Sequence, residues 1–304
     1  MTNPIRIGTR GSPLARLQTD MVCAALRAAD PAVTVEVVVI RTSGDQVQDR
    51  PLADIGGKGL FSKEIEQAMF EGRIDMAVHS MKDMETALPD GLCIGAVLPR
   101  EDPRDALLAG DARSIAALPQ GAVVGTSSVR RQAQLLNRRP DLNVVLFRGN
   151  VQTRLRKLKE GVADATLLAL AGLKRLDMES VCAPIDPDEM LPAAAQGAVG
   201  VELRADDAAL RDRLAAIDHA ETALCIGVER ALLAALDGTC RTPIGALATR
   251  DAPSGTVSLR GLVATPDGTR LERMSQRAPA ADAEAMATEL GLALKSAIGP
   301  GAFE

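Results

Sequence analysis

Residues 5–40 read IRIGTRGSPLARLQTDMVCAALRAADPAVTVEVVVI, and this stretch predicts a strand, a helix and a second strand. Ile5 to Gly8 form the first short strand. Ser12 is a preferred helix N-cap residue, and Pro13 stands at the first helical position, where proline is tolerated. Apolar side chains then recur at helical spacing. The β-branched run from Thr34 to Ile40 predicts a buried parallel strand, so the chain begins with alternating strand and helix.

This alternation continues along most of the chain. Residues 42–59 lack periodicity and are rich in glycine, which is typical of a lid or binding loop. The charged segment at 99–104 is typical of a hinge between two α/β halves. Further strands are predicted at 75–79, 92–98, 122–125, 144–147, 165–169 and 197–203, and helices at 60–71, 126–138, 150–161 and 172–176.

The last part of the sequence has a different pattern. Strands follow one another there with helices on either side, near 221–236 (helix), 244–249, 257–264, 270–276 and 281–297 (helix). Such an order predicts a small α+β domain. The predicted fold class is therefore α/β, with two α/β domains and a small C-terminal α+β domain.

The composition argues against several classes of protein. No apolar run is long enough to cross a bilayer, and the net charge of −5 contrasts with the basic excess of most nucleic-acid-binding proteins. Five scattered cysteines without CxxC spacing fit neither a disulfide framework nor a zinc site. The N-terminus carries no basic-then-apolar leader. We therefore expect a cytoplasmic protein without a metal and without nucleic-acid or membrane partners.

Four polar clusters each follow a predicted strand, at 9–12 (TRGS), 79–83 (HSMKD), 126–128 (TSS) and 148–150 (RGN). Ligands of open α/β sheets bind beyond the carboxyl ends of the strands. Two facing halves would thus form a cleft lined by all four clusters. Spacing alone leaves single residues open: His79 fits a structural role, Lys82 and Asp83 fit a surface ion pair, and the loop thiol of Cys240 is a candidate nucleophile.

Arginines are concentrated in one part of this acidic chain. Their planar guanidinium groups suit a bidentate grip on carboxylate or phosphate. The hydroxyl and backbone N–H groups at 126–128 stand at a predicted helix N-terminus, which also favours anions. One arginine alone is most simply a solvated surface residue, but this grouping predicts an oxyanion site. The eight are Arg130, Arg131, Arg138, Arg139, Arg148, Arg154, Arg156 and Arg175.

Several segments together resemble the hydroxymethylbilane synthase (porphobilinogen deaminase) family. They are TRGSPLA at 9–15, GGKGLF at 56–61, HSMKD at 79–83, GTSSVRRQ at 125–132, RGN at 148–150, AGLKRL at 171–176, QGA at 196–198, GTC at 238–240 and PIG at 243–245. The resemblance implies that the two α/β domains are of the periplasmic-binding-protein type. It divides the chain into domain 1 (1–98 and 197–216), domain 2 (103–192) and domain 3 (220–304).

The resemblance also implies a transferase reaction of haem and tetrapyrrole biosynthesis. Four porphobilinogen molecules condense head to tail with loss of ammonia, on a covalently bound dipyrromethane cofactor, and linear hydroxymethylbilane is released by hydrolysis. The cofactor hangs by a thioether from the position of Cys240. The acetate and propionate groups of each pyrrole account for the arginines. A monomer is expected.

The same resemblance assigns roles to individual residues. Asp83 is the catalytic carboxylate, which stabilises the azafulvene cation formed on deamination. Besides Cys240 and Asp83, the residues expected to hold the cofactor are Lys82, Thr126, Ser128, Arg130, Arg131, Arg148 and Gly149. Those expected to bind substrate are Arg10, Ser12, Lys58, Phe61, Arg148, Arg154, Arg175 and Gln196.

Two positions depart from the family pattern. Met84-Glu85 follows Asp83 where the family often has Val-Pro, which puts the backbone after Asp83 in question. Asp54 stands where some members carry a lysine, so one loop cation is absent. The alternative interpretation is a non-catalytic periplasmic-binding-type protein that holds a small dicarboxylate. Such a protein would have no use for Cys240.

Overall fold

The computed structural model describes residues 4–46, 59, 62–239 and 242–302. Three residues of the predicted site, Lys58, Phe61 and Cys240, lie outside the described residues, as does Asp54. The described residues form two compact units. Unit 1 takes its residues from 4–101 and 198–223, and unit 2 from 102–197 and 224–302.

Unit 1 is built on one five-stranded sheet in the order β2-β1-β3-β10-β4. β1 pairs in parallel with β2 and β3, whereas β10 is antiparallel to both β3 and β4. The strands are β1 (Ile5–Arg10), β2 (Val35–Ile40), β3 (Met76–Ser80), β4 (Leu92–Val97) and β10 (Val199–Arg204). Its helices are α1 (Pro13–Ala29), the single turn α2 (Ser43–Gln46), α3 (Lys63–Phe70) and α7 (Ala208–Ala215).

The opening strand, helix and strand form as the sequence predicts, with one correction. The Ser12 hydroxyl accepts a hydrogen bond from the N–H of Ala15 at 3.2 Å, and Pro13 is the first residue of α1. β2 is parallel to β1, as predicted, but the expectation that it is buried is wrong. It is the edge strand of the sheet, so Val37 and Val39 are exposed.

The first sheet of unit 2 repeats the pairing scheme of unit 1, in the order β7-β6-β8-β5-β9. β6 is parallel to β7 and β8, and β5 is antiparallel to β8 and β9. The strands are β5 (Asp105–Leu108), β6 (Val123–Thr126), β7 (Asn143–Leu146), β8 (Ala165–Ala169) and β9 (Ala183–Pro184). Its helices are α4 (Val129–Arg138), α5 (Val151–Lys159) and α6 (Leu170–Arg175).

The C-terminal part of unit 2 is the small α+β element that the strand order predicts. Its antiparallel sheet packs against helices through a continuous apolar cluster that includes Leu232, Leu259 and Leu290. The sheet has the order β11-β12-β13. Its elements are α8 (Ala220–Ala235), β11 (Ile244–Arg250), β12 (Thr256–Ala264), β13 (Leu271–Pro279) and α9 (Ala283–Ile298).

The turn between β12 and β13 holds helix α4 in place. Gly268 lies against α4 with a φ of 72°, and a Cβ at this position would clash with the carbonyl oxygen of Ala133. Asn137 Nδ2 donates a hydrogen bond to the Gly268 carbonyl at 2.9 Å, and Gln132 Nε2 donates to that of Pro266 at 3.2 Å. The C-terminal sheet therefore fixes the helix that carries Arg130 and Arg131.

Two mixed α/β sheets and a small α+β part confirm the predicted fold class. The division into domains at 1–98 with 197–216, 103–192 and 220–304 stays a prediction. The three separate sheets support it.

Candidate functional site

In unit 1, Asp83 ends a short 3-10 helix that directly follows β3. This helix is Met81–Asp83, and the N–H of Met81 donates a hydrogen bond to the carbonyl of Ala198 at 3.1 Å. Met81 is buried against Gly200, where a Cβ would clash with the methionine sulfur. The Asp83 side chain is exposed, and no hydrogen bond or ion pair joins it to another described residue. Its carboxylate is thus presented to solvent on a firmly held turn.

His79 is buried, and its side chain pairs with a residue of the neighbouring strand. Its Nε2 lies 3.0 Å from Oε2 of Glu202 on the neighbouring strand β10. Burial raises the pKa of the nearby Glu66 carboxyl, and the Glu202 carboxylate raises it further. These contacts favour the structural role that the sequence left open for His79.

Arg10 and Ser12 lie at the same edge of the sheet as Asp83, because β1 and β3 are parallel neighbours. Helix α1 is also joined to the end of β3 by Gln18. Its Nε2 donates a hydrogen bond to Ser80 Oγ at 2.9 Å, and its Oε1 accepts one from the same hydroxyl at 3.1 Å. The Ser12 hydroxyl already caps α1. Arg10, Ser12, Lys82 and Asp83 are therefore brought to one edge, as the sequence predicts for strand ends.

In unit 2, the start of α4 presents hydroxyl and N–H groups. Ser128 Oγ accepts from the N–H of Arg131 at 3.4 Å, and Thr126 Oγ1 accepts from the N–H of Ser128 at 3.1 Å. α5 begins similarly, since the Asn150 side chain accepts from the N–H of Thr153 at 2.9 Å. The two helices begin directly after β6 and β7, which are parallel neighbours. The positive ends of both helix dipoles therefore lie at the carboxyl ends of these strands.

Arg130 and Arg131 are buried and share one carboxylate, that of Asp105. Arg130 Nη1 lies 2.7 Å from Asp105 Oδ2, and Arg131 Nη2 lies 2.7 Å from Oδ1. Burial alone would raise the pKa of Asp105, but Arg130 and then Arg131 outweigh it and hold the pKa well below its usual range. Burial lowers the pKa of Arg130, and Asp105 opposes that effect. Asp105 thus supplies the counter-charge of two buried arginines.

We expect Asp105→Asn to lower the free energy of unfolding by about 3–5 kcal/mol, because two buried guanidinium groups lose their counter-charge. Urea titration at neutral pH measures this loss. Asp188→Asn is the matched control, since Asp188 pairs with Arg260 at 2.5 Å but is largely exposed; it should have no measurable effect. An equal effect of the two substitutions would contradict the prediction.

The stabilisation by Asp105 should also depend on pH in a defined direction. Its pKa is lower in the folded state, so the contribution is complete above the ordinary carboxyl pKa of about 4 and is lost only as pH falls towards the folded-state value. Acid unfolding of the wild type and of Asp105→Asn should therefore converge at low pH.

Arg154 is a half-buried cation of a different kind. Its Nε donates to the Gly149 carbonyl at 2.9 Å, and its Nη2 donates to Ser127 Oγ at 3.1 Å. Within the described part of the chain no carboxylate pairs with it. Burial, and next Arg131 and Arg148, lower its pKa to about 10. An arginine surrounded by like charges and neutral oxygens favours an anionic ligand.

Gly149 is required by the geometry beside Arg154. Its φ is 125°, in the left-handed region, and a Cβ would lie 2.5 Å from Thr153 Cγ2. Only glycine therefore allows the backbone between Arg148 and α5 to lie this close to the Thr153 side chain. Arg148 itself is buried, and its carbonyl accepts from Lys157 Nζ at 3.1 Å.

The two remaining predicted residues of unit 2 make hydrogen bonds within that unit. Arg175 Nη2 donates to the Gly197 carbonyl at 2.7 Å. Gln196 is buried, and its amide nitrogen donates to the Pro103 carbonyl at 2.8 Å and to Asp105 Oδ1 at 2.9 Å. Their roles in substrate binding stay predictions.

Sequence reasoning missed three buried carboxylates, Asp105, Glu202 and Glu229. Glu229 accepts from the N–H of Ala195 at 2.6 Å and from that of Ala248 at 2.7 Å, which secures Ala195 at its φ of 59°. Glu202 and Glu229 each stand in a mostly apolar stretch of the sequence, and a single acidic residue among apolar neighbours was the available signal there, because such a residue is buried only with a partner. Asp105 directly follows the charged segment at 99–104 and gave no such signal.

Taken separately, the two units are α/β structures with polar side chains at their strand ends. Unit 2 has two helix N-termini with arginines beside them, and unit 1 has the exposed carboxylate of Asp83. Comparison with known proteins identifies the ligand class. Residues 5–212 match the family model described as "Porphobilinogen deaminase, dipyromethane cofactor binding domain", and residues 223–296 match "Porphobilinogen deaminase, C-terminal domain".

Curated relatives agree with both models. The chain is 55% identical to porphobilinogen deaminase of Paracoccus denitrificans (strain Pd 1222), over 96% of this chain and 94% of that protein. It is 52% identical to the chloroplastic porphobilinogen deaminase of Oryza sativa subsp. japonica, over 99% of this chain and 86% of that protein. A solved structure of a probable amino-acid transporter binding protein from Bacillus subtilis is 14% identical, covering 71% of this chain and 90% of its own, with a TM-score of 0.43.

This chain belongs to the porphobilinogen deaminase family. It is a transferase of tetrapyrrole biosynthesis that condenses four porphobilinogen molecules head to tail on a dipyrromethane cofactor. The family match does not favour the alternative of a non-catalytic dicarboxylate binder. No helix in the described part of the chain is long and apolar enough to cross a membrane.

Proposed function

We propose that Asp83 is the catalytic residue of this reaction and that the cations of both units bind the carboxylates of its ligands. The observation that carries the proposal is the exposed carboxylate of Asp83, which no described partner neutralises and which a rigid turn presents. As ammonia leaves the substrate, positive charge develops on the pyrrole. A fixed carboxylate near that charge stabilises the transition state more than the ground state.

The residues of unit 2 fit a dipyrromethane cofactor chemically. Its acetate and propionate groups are anions, and the α4 start offers N–H and hydroxyl groups to them beside the guanidinium groups of Arg130 and Arg131. When bound, the cofactor supplies the covalent primer for chain growth. The residues that would hold it are Lys82, Asp83, Thr126, Ser128, Arg130, Arg131, Arg148 and Gly149, with a thioether to Cys240.

The substrate would be bound by polar contacts to its carboxylates and by apolar contact with Phe61. The residues proposed for this are Arg10, Ser12, Lys58, Phe61, Arg148, Arg154, Arg175 and Gln196. In this proposal Arg130 and Arg131 together attract the carboxylates of the ligand. The single carboxylate of Asp105 balances only one of their two positive charges, so a net positive charge remains. We also propose that the protein is a cytoplasmic monomer without nucleic-acid or membrane partners; sedimentation velocity tests the oligomeric state.

We expect Arg154→Leu to raise the KM for porphobilinogen about 10- to 100-fold, because one charge-assisted hydrogen-bonded contact is worth roughly 1.5–3 kcal/mol. Stability should change little, since Arg154 has no carboxylate partner among the described residues. Steady-state kinetics and thermal unfolding measure the two effects. Arg156→Leu is the matched control on the same helix, because Arg156 is exposed and faces Glu160. A KM equal in both variants would contradict this role of Arg154.

A further inference from the structure

Glu85, two residues after Asp83, is hydrogen-bonded to Gly59, which lies four residues before the first residue of helix α3. Its Oε1 accepts from the N–H of Gly59 at 3.0 Å. Gly59 has a φ of 71°, and its own carbonyl accepts from the N–H groups of Ser62 and Lys63 at 3.0 and 2.9 Å. Glu85 is thus connected through Gly59 to the first turn of α3.

Helix α3 is itself fixed in the core of unit 1. Ile65 and Met69 are fully buried in a cluster that includes Ala77 of β3, the strand that leads to Asp83. The segment around Asp83 is therefore held on both sides. Before Asp83, Met81 is bound to β10 through Ala198; after Asp83, Glu85 is bound to α3 through Gly59.

The resemblance described under Sequence analysis implies Val-Pro directly after the aspartate, where this chain has Met84 and Glu85. A proline fixes its own φ and confines the preceding residue to extended backbone. Met84 has φ −79° and ψ 139°, which is the conformation that a following proline imposes. The backbone after Asp83 thus has the proline-type geometry without the proline.

We propose that Glu85 is a positioning residue, whose hydrogen bond to Gly59 supplies the stiffness that a proline provides at this place and so orients Asp83. The proposal rests on the catalytic role proposed for Asp83. A displaced Asp83 would stabilise the developing positive charge less well, which lowers kcat rather than raising KM.

The test compares holoenzymes of several variants, with cofactor content checked by intact mass. Glu85→Leu should lower kcat about tenfold with KM within about twofold of wild type. Glu85→Gln keeps an acceptor oxygen, and Glu85→Pro restores backbone stiffness, so both should keep at least about half of the wild-type kcat. Glu71→Leu, an exposed carboxylate at the other end of α3, is the control and should be unchanged.

A double-mutant cycle separates this role from a merely structural one. In an Asp83→Asn background, Glu85→Leu should cause no further loss of kcat, because it acts through Asp83. The proposal is overturned if Glu85→Leu keeps the wild-type kcat, if Glu85→Gln or Glu85→Pro falls as far as it does, or if the two losses multiply. Should Glu85→Leu not fold, Glu85→Ala, which also removes the acceptor oxygen, takes its place in the same comparisons and in the cycle with Asp83→Asn. Full activity of Asp83→Asn alone would instead refute the catalytic role of Asp83.

Discussion

Replacing Asp83 by asparagine is expected to leave the protein folded and to lower kcat by about 10²- to 10³-fold, the usual loss when an electrostatic partner of the transition state is removed. Asparagine has nearly the same shape, so binding should change little. The charge that would face the pyrrole as ammonia leaves is, however, lost. Because Asp83 is exposed and has no hydrogen-bonded partner among the described residues, the substitution leaves no buried group unsatisfied.

Turnover of porphobilinogen, thermal unfolding and intact mass should be measured together for this variant. Asp90→Asn is a suitable control, since Asp90 is another exposed aspartate of the same segment. We expect it to match the wild type in all three. Wild-type turnover in Asp83→Asn would end the assignment of Asp83, whereas a loss of the melting transition would show a structural role instead.

Much of this fold could be predicted from sequence because its signals are local. The Ser12-Pro13 start of α1 and the Asn150 start of α5 are short-range capping patterns, and both form as predicted. β5 was missed, because four residues after a charged hinge give no periodicity of their own. The burial of β2 was wrong because its place at the sheet edge depends on strand order, which no local pattern specifies.

The candidate site divides in the same way. Strand-end clusters could be placed at sheet edges from topology alone, and Arg10, Ser12 and Asp83 do share one edge. The pairing of Arg130 and Arg131 with Asp105 could not be foreseen, since it joins β5 to α4 across non-adjacent parts of the chain. The same holds for Glu85 and Gly59, whose contact is visible only once α3 is packed.

Cys240 owes its proposed role to the family pattern, and its removal should have the largest effect of any single substitution. We expect Cys240→Ala to lack the dipyrrole and to have no measurable turnover, because the sulfur that would form the thioether is absent. Unlike a disulfide, a carbon–sulfur thioether is not cleaved by thiol exchange. The wild type should therefore remain heavier than its sequence by a dipyrrole after treatment with a reducing agent.

Intact-mass measurement under denaturing conditions distinguishes the two forms, before and after incubation with porphobilinogen. Cys93→Ala is the matched control, because Cys93 is a half-buried thiol of unit 1 that has no proposed role; it should keep both the added mass and the activity. A dipyrrole still covalently bound in Cys240→Ala would place the attachment elsewhere. The four cysteines among the described residues are buried or half-buried, so we do not expect any of them to take up the dipyrrole in place of Cys240.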